Sequence, residues 1–129
     1  MSTLINSLDE VSKLDASTIR EQLLSDKGIQ AMLLQTKIIK ESVGESKYLA
    51  TIVPAPFTAA SQIMGVQKFM VELFNEENDF TPLLEYCLQL SNTFAEIFIE
   101  SGVDFIFIGD PVASGDLISP VIFEKFSAP

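Results

Sequence analysis

Few residues in this sequence are placed to do chemistry, and Asp110 leads them. It stands in Gly109-Asp110-Pro111, directly after the apolar run Phe105-Ile106-Phe107-Ile108. A short β-forming run stopped by glycine and proline reads as a strand, and a carboxylate at the C-terminal end of a barrel strand is where substrate contacts and metal-supporting groups gather. Asp110 is therefore the candidate catalytic residue, either binding substrate or supporting a metal ligand. Its other reading is a turn or cap aspartate ahead of a proline. Phe57 and Thr58 follow an earlier strand-like run and are candidates for a pocket mouth. Alternatively, Phe57 staples onto the next helix and Thr58 is that helix's N-cap. Ser114, with Gly115 and Asp116, forms a polar loop on the same side, suited to touching a ligand or to capping.

What is missing removes more chemistry than these residues add. The chain has no histidine and one cysteine, Cys87. No disulfide, no Cys/His zinc site and no histidine general base can be assembled from it. Cys87 shares a helical stripe with Leu84, Leu88 and Phe94, which makes it a small core hydrophobe. The acidic run Glu72, Glu76, Glu77 and Asp79 reads as a solvated linker face. Eighteen acids against eight bases give a net charge of −10. That field repels a phosphate backbone and an anionic membrane surface alike, so nucleic-acid and membrane partners are not expected. No apolar run approaches the roughly 20 residues of a membrane helix. The Met1 to Asn6 start lacks a signal peptide's basic flank and apolar core. A cytoplasmic location is expected.

The elements that would position these groups follow from periodicity. Residues 1–28 form a polar, helix-prone lead-in, with one turn opening at Ser7 and a segment capped by Ser17 running to Leu24. Residues 29–129 carry βα units within the same single domain. Ile29, Met32, Leu33, Thr36, Ile39 and Val43 recur at helical spacing, and Gly44 ends that helix. Tyr48 to Val53 is the first strand, closed by Pro54 and Pro56. Helices follow to Met64 and, past Gly65, to Phe74. Thr81-Pro82 opens a long helix with Leu84, Cys87, Leu88, Ser91, Phe94, Ala95 and Phe98 on one stripe, ending at Gly102. Asp104 to Ile108 is the second strand, and a short helix from Ser119 to Phe126 finishes the chain. Strands separated by such long helical stretches belong to a parallel α/β sheet, with both strands and the phenylalanines at 94, 98, 105 and 107 buried. Two strands do not complete such a sheet. Hydrophobic residues make up 47% of the chain and mean hydropathy is +0.31, so this surface must be well buried or shared with a partner.

Two stretches go beyond a generic α/β pattern. Pro54-Ala55-Pro56-Phe57-Thr58-Ala59-Ala60, with Gly65 beyond it, resembles the Gly-Pro-Phe-Thr-Leu-Ala segment after a barrel strand in the uroporphyrinogen decarboxylase superfamily. Glu100-Ser101-Gly102-Val103-Asp104, the apolar run, and Asp110-Pro111-Val112-Ala113-Ser114 with Leu117-Ile118-Ser119-Pro120 resemble a later helix end, strand and loop of that superfamily. Phe123, Phe126 and Pro129 continue the match. The resemblance implies part of a (β/α)₈ TIM barrel, incomplete in this chain. The decarboxylases carry tyrosine where Gln62 stands, which makes Gln62 a further substrate-binding candidate, and serine where Pro111 stands. Ala55 replaces a usual glycine. The Asp-Pro-x-Ala-Ser form is closer to the cobalamin-linked methylcobamide:coenzyme M methyltransferase branch. That branch implies a zinc ion held by His and Cys, and a corrinoid methyl donor, for the complete parent. The zinc ligands come from later strands and have no counterpart here, so the chain itself is expected to hold no metal or cofactor. The expected partners are another copy or the remaining barrel segment, and a corrinoid protein. Porphyrinogen decarboxylation is the alternative activity, and a non-catalytic self-associating domain is the third reading.

Overall fold

The computed structural model describes residues 4–75 and 77–128. Readings that fell on residues 1–3, Glu76 and Pro129 lie outside them. The lead-in is two 3₁₀ turns, Leu8–Lys13 and Ala16–Thr18, followed by α1, Ile19–Ser25. The cap is Asp15 rather than Ser17: its carboxylate accepts from the Ser17 amide at 2.9 Å and hydroxyl at 2.6 Å. The segment is no mere prelude, because Ile5 and Ile19 are buried in the core. The Leu4 amide also donates to the Ile63 carbonyl at 2.9 Å.

Helix α2, Lys27–Val43, begins before Gly28, since Asp26 caps it by accepting from the Ile29 amide at 3.0 Å. Of its expected stripe only Thr36 is buried, and Met32 and Ile39 are exposed. The helix leans on α1, sends Leu33 to the cluster of Ile97, Phe98 and Val103, and pairs Lys40 with Asp104 at 2.8 Å. Gly44 ends it at φ 56°, a conformation a side chain rarely adopts.

Strand β1, Ala50–Pro54, pairs in parallel with β2, Phe105–Gly109, from Ala50 opposite Phe105 to Pro54 opposite Gly109. The parallel pairing and helical crossover agree with the sequence reading, but the burial does not. Side chains alternate across a sheet. Val53 and Ile106 point to the helical side, where Ile106 packs by Ile97, Phe98 and Val103. Ile52, Phe105 and Phe107 point the other way and are exposed, as is Tyr48, which precedes β1. The strands were expected to be buried on both faces; only one face has cover among the described residues.

Between the strands run α3, Pro56–Met64, α4, Val66–Leu73, and α5, Thr81–Glu100. Gly65 at φ 91° lets the chain break direction between α3 and α4. Helix α5 starts at Thr81 without a side-chain cap, and the Asp79 carboxylate takes the Thr81 amide at 2.9 Å. Its buried stripe is Leu83, Tyr86, Cys87, Ser91, Ile97 and Phe98. That is rotated from the expected one: Leu88 is exposed and Leu84 and Phe94 are half-buried. Buried Ser91 is satisfied by donating to the Pro54 carbonyl at 2.8 Å. The last helix, α6, Pro120–Ile122, is capped by Ser119 and continues as a wider π turn over Phe123–Ser127. An edge-to-face ladder of Phe57, Phe69, Phe80 and Phe126, with centroids 5.0, 5.3 and 5.5 Å apart, joins α3, α4, α5's approach and this last turn into one core.

Candidate functional site

The two strands end side by side, and the Ala55 amide donates to the Gly109 carbonyl at 2.9 Å to hold them there. Pro56 then starts α3 and leaves Ala55 as a cap residue with no side-chain oxygen. The first-turn amides of such a helix need an acceptor from elsewhere. Asp110 supplies it from the end of β2. Its Oδ1 accepts from the Thr58 amide at 3.0 Å and the Thr58 hydroxyl at 2.5 Å. Its Oδ2 accepts from the Ser127 hydroxyl at 2.8 Å. Thr58, expected as an N-cap, is instead a buried residue in the first turn whose cap is Asp110. Its hydroxyl oxygen also accepts from the Val112 amide at 3.4 Å, drawing in the loop after β2.

A cleft of about 600 Å³ opens beside this clamp. Its apolar wall comes from Pro56, Leu84, Leu88 and Phe126, and Ser127 links it to Asp110. The rim carries Glu77, Asp79 and Glu85, with Lys125 set 4.8 Å over the Phe126 ring. The Thr81 hydroxyl and then its amide hold the Asp79 carboxyl below its ordinary range. The shape admits a small ligand with an apolar body and a polar end.

The structure brings some of the expected site residues together and separates others. Asp110 and Thr58 share one hydrogen-bond network, and Phe57 reaches the cleft only as a buried ring set edge to face on Phe69. Gln62 is exposed and lines a separate groove with Leu4, Leu90 and Phe94. Ser114 accepts from the Leu117 and Ile118 amides through its carbonyl, at 2.9 and 3.0 Å, and does not line the cleft. The sequence reading missed Ser127, Lys125 and the cleft face of α5. Its one signal for them was the Phe123/Phe126 spacing, which places Ser127 next to a core ring.

Cys87 is fully buried, and desolvation pushes its thiol up to about 12, opposite to what a metal-ligating or nucleophilic thiolate needs. Among the described residues no three His, Cys, Asp or Glu side chains converge as a metal site. A zinc ion held by His and Cys does not fit this chain's own residues.

The family model for uroporphyrinogen decarboxylase (URO-D) matches residues 2–129. The chain is 34% identical over 113 residues to the methylcobamide:CoM methyltransferase MtaA of Methanosarcina barkeri, covering 88% of this chain and 33% of that protein. It is 30% identical over 115 residues to the methylcobamide:CoM methyltransferase MtbA of Methanosarcina mazei, covering 89% of this chain and 34% of the relative. The chain thus spans about a third of the length of the curated relatives it matches. No solved structure matches. Its parallel strands and helical crossovers are those of an incomplete TIM barrel. The chain belongs to the uroporphyrinogen decarboxylase (URO-D) family.

Proposed function

We propose that this chain is a segment of a corrinoid-dependent methyltransferase barrel, moving a methyl group from a methylcobamide to a thiol, and that it is inactive alone. The observation that carries the reading is the match to MtaA and MtbA across nearly the whole chain but only about a third of each relative. The absence of histidine from the sequence agrees with it. In this reading zinc, thiol and corrinoid partner are handled by barrel strands outside the segment. Thr58 belongs to the Asp110 clamp, Phe57 backs the cleft as a buried ring, and Ser114 and Gln62 have no part in the site. Asp110 is a positioning residue: its two oxygens already take three donors. The work is placed in the cytoplasm, and no helix among the described residues is long and apolar enough to cross a membrane.

The test is a chimera in which this chain replaces the matched third of the M. barkeri MtaA. Methyl transfer from methylcobalamin to coenzyme M by the folded chimera is the expected result. A folded chimera that binds zinc yet transfers no methyl group sinks the methyltransferase reading. Release of CO₂ from a tetrapyrrole by a full-length protein carrying this segment would establish the decarboxylase alternative.

A further inference from the structure

Between the first 3₁₀ turn and the start of α5 runs a groove of about 460 Å³. One wall is Leu8–Lys13 with the chain on to Ala16, and the other is residues 79–89. Its apolar surface comes from Leu8, Val11 and Pro82, and its acidic rim from Asp9, Asp79 and Glu85. Asp79 and Glu85 stand on the ridge between this groove and the cleft beside Ser127. Among the described residues no lysine or arginine lines it.

An acidic rim alone is only a solvated surface. Tyr86 supplies a second and independent observation. It lines the groove and is 8% exposed. A phenol buried to that degree ordinarily has a hydrogen-bond partner. The Tyr86 hydroxyl has none among the described residues, yet it is not sealed from solvent, and its opening is the groove. Burial, then Cys87 and Asp15, push the phenol above its ordinary value, so at neutral pH it remains an O–H whose oxygen is free to accept.

We propose that this groove binds a small organic cation, a primary ammonium head on a short aliphatic body. The head donates to the Tyr86 oxygen and meets the carboxylates of the rim, while the body lies on Leu8, Val11 and Pro82. Charge decides the class. An anion would meet three carboxylates and no counter-charge, and the net charge of −10 draws cations toward the whole chain. The volume falls within the range of about 300–1,000 Å³ that small-molecule sites occupy. None of the groove's residues belongs to the Asp110 clamp, so cation binding and methyl transfer can fail separately.

Amide NMR of the isotope-labelled 129-residue chain, titrated with hexylammonium chloride, tests this directly. The expected result is a set of saturable shifts centred on Val11, Ala16 and Tyr86, with a dissociation constant on the order of 1 mM. Hexanoate, of the same length and opposite charge, should give none. Tyr86→Phe removes only the hydroxyl and should weaken hexylammonium about fivefold to tenfold. Asp9→Asn with Glu85→Gln should weaken it about threefold to tenfold, and Glu41→Gln, on α2, should change nothing. Dispersed amide spectra establish that each variant is folded. Hexanoate binding as well as hexylammonium, unchanged affinity in Tyr86→Phe, or equal weakening by Glu41→Gln overturns the proposal. So does a titration of the unaltered chain that shows no saturation by about 20 mM.

Discussion

Replacing Asp110 separates a positioning carboxylate from a reactive one. Asp110→Ala removes the acceptor for the Thr58 amide, the Thr58 hydroxyl and the Ser127 hydroxyl together. Thr58 is buried, so water cannot easily replace the lost acceptor for its amide. Loss of a helix cap costs about 1 kcal/mol, and a buried donor left without a partner adds about 1–3 kcal/mol. The Thr58 hydroxyl keeps only its contact with the Val112 amide, and the Ser127 hydroxyl can turn toward water at little cost. The expected loss is about 3 kcal/mol. With a urea m-value near 2 kcal/mol/M, the unfolding midpoint should fall by about 1.5 M. Asp110→Asn keeps an oxygen for Thr58 and gives up mainly the charge at the start of α3, so its loss should be near 1 kcal/mol. Equilibrium urea titration of both variants gives the comparison, and amide exchange at Thr58 localises it. A loss under about 0.5 kcal/mol for Asp110→Ala, or equal losses for the two variants, would refute the clamp.

Three further outcomes are expected. Gly65→Ala should cost about 1–3 kcal/mol in thermal or urea unfolding, because φ of 91° is strained for any side chain and the α3–α4 break depends on it. Cys87 should resist a thiol reagent at pH 8 while the chain is folded and react fully in denaturant, since burial holds the thiol protonated; fast labelling of the folded chain would place Cys87 elsewhere than the core. The Asp104 carboxyl is held below its ordinary value of 3.8 by the Lys40 ammonium, then by the Leu49 amide, at 2.8 Å each. A folded-state value lowered in this way contributes stability that is fully present above the unfolded aspartate's value and is lost as pH falls through the lower folded one. Asp104→Asn should therefore flatten the acid limb of a stability-versus-pH curve and leave the protein above neutral little changed, and an unchanged acid limb would show that the pair contributes nothing.

The order of elements was legible in the sequence because it rests on local signals. Gly44, Gly65 and the Thr81-Pro82 pair end or open helices by backbone chemistry that any short window displays. Burial was not legible in the same way. Phe105 and Phe107 read as core because apolar β-formers ahead of a Gly-Asp-Pro stop usually are. Whether they are covered depends on how many strands lie beside them, which no local pattern reports. The capping of α3 failed for a related reason. Thr58 satisfies every local criterion for a cap, yet Pro56 starts the helix two residues earlier, and the acceptor arrives from a residue 52 positions downstream. The stripe on α5 holds at Cys87, Ser91 and Phe98 and departs from the sequence pattern where Leu84 and Leu88, apolar like the core, face the cleft instead.

The clamp also changes what the most specific motif can be taken to mean. Asp110-Pro111 was the strongest pointer to a reaction, since strand ends in barrels carry catalytic groups. In the structure the aspartate satisfies α3, the proline turns the chain into a 3₁₀ turn, and the loop returns so that Ser127 closes the network. Each part of the motif has a mechanical role that a barrel segment needs in order to fold, whatever reaction its parent performs. A match there reports how two βα units are fastened together, and a chain without histidine can keep it unchanged. Evidence about the reaction has to come from side chains that face a substrate. At the strand ends of this segment the side chains free to meet a ligand are those that line the cleft beside Ser127. The chimera therefore asks about chemistry and the Asp110 variants ask about assembly, and either can fail without the other.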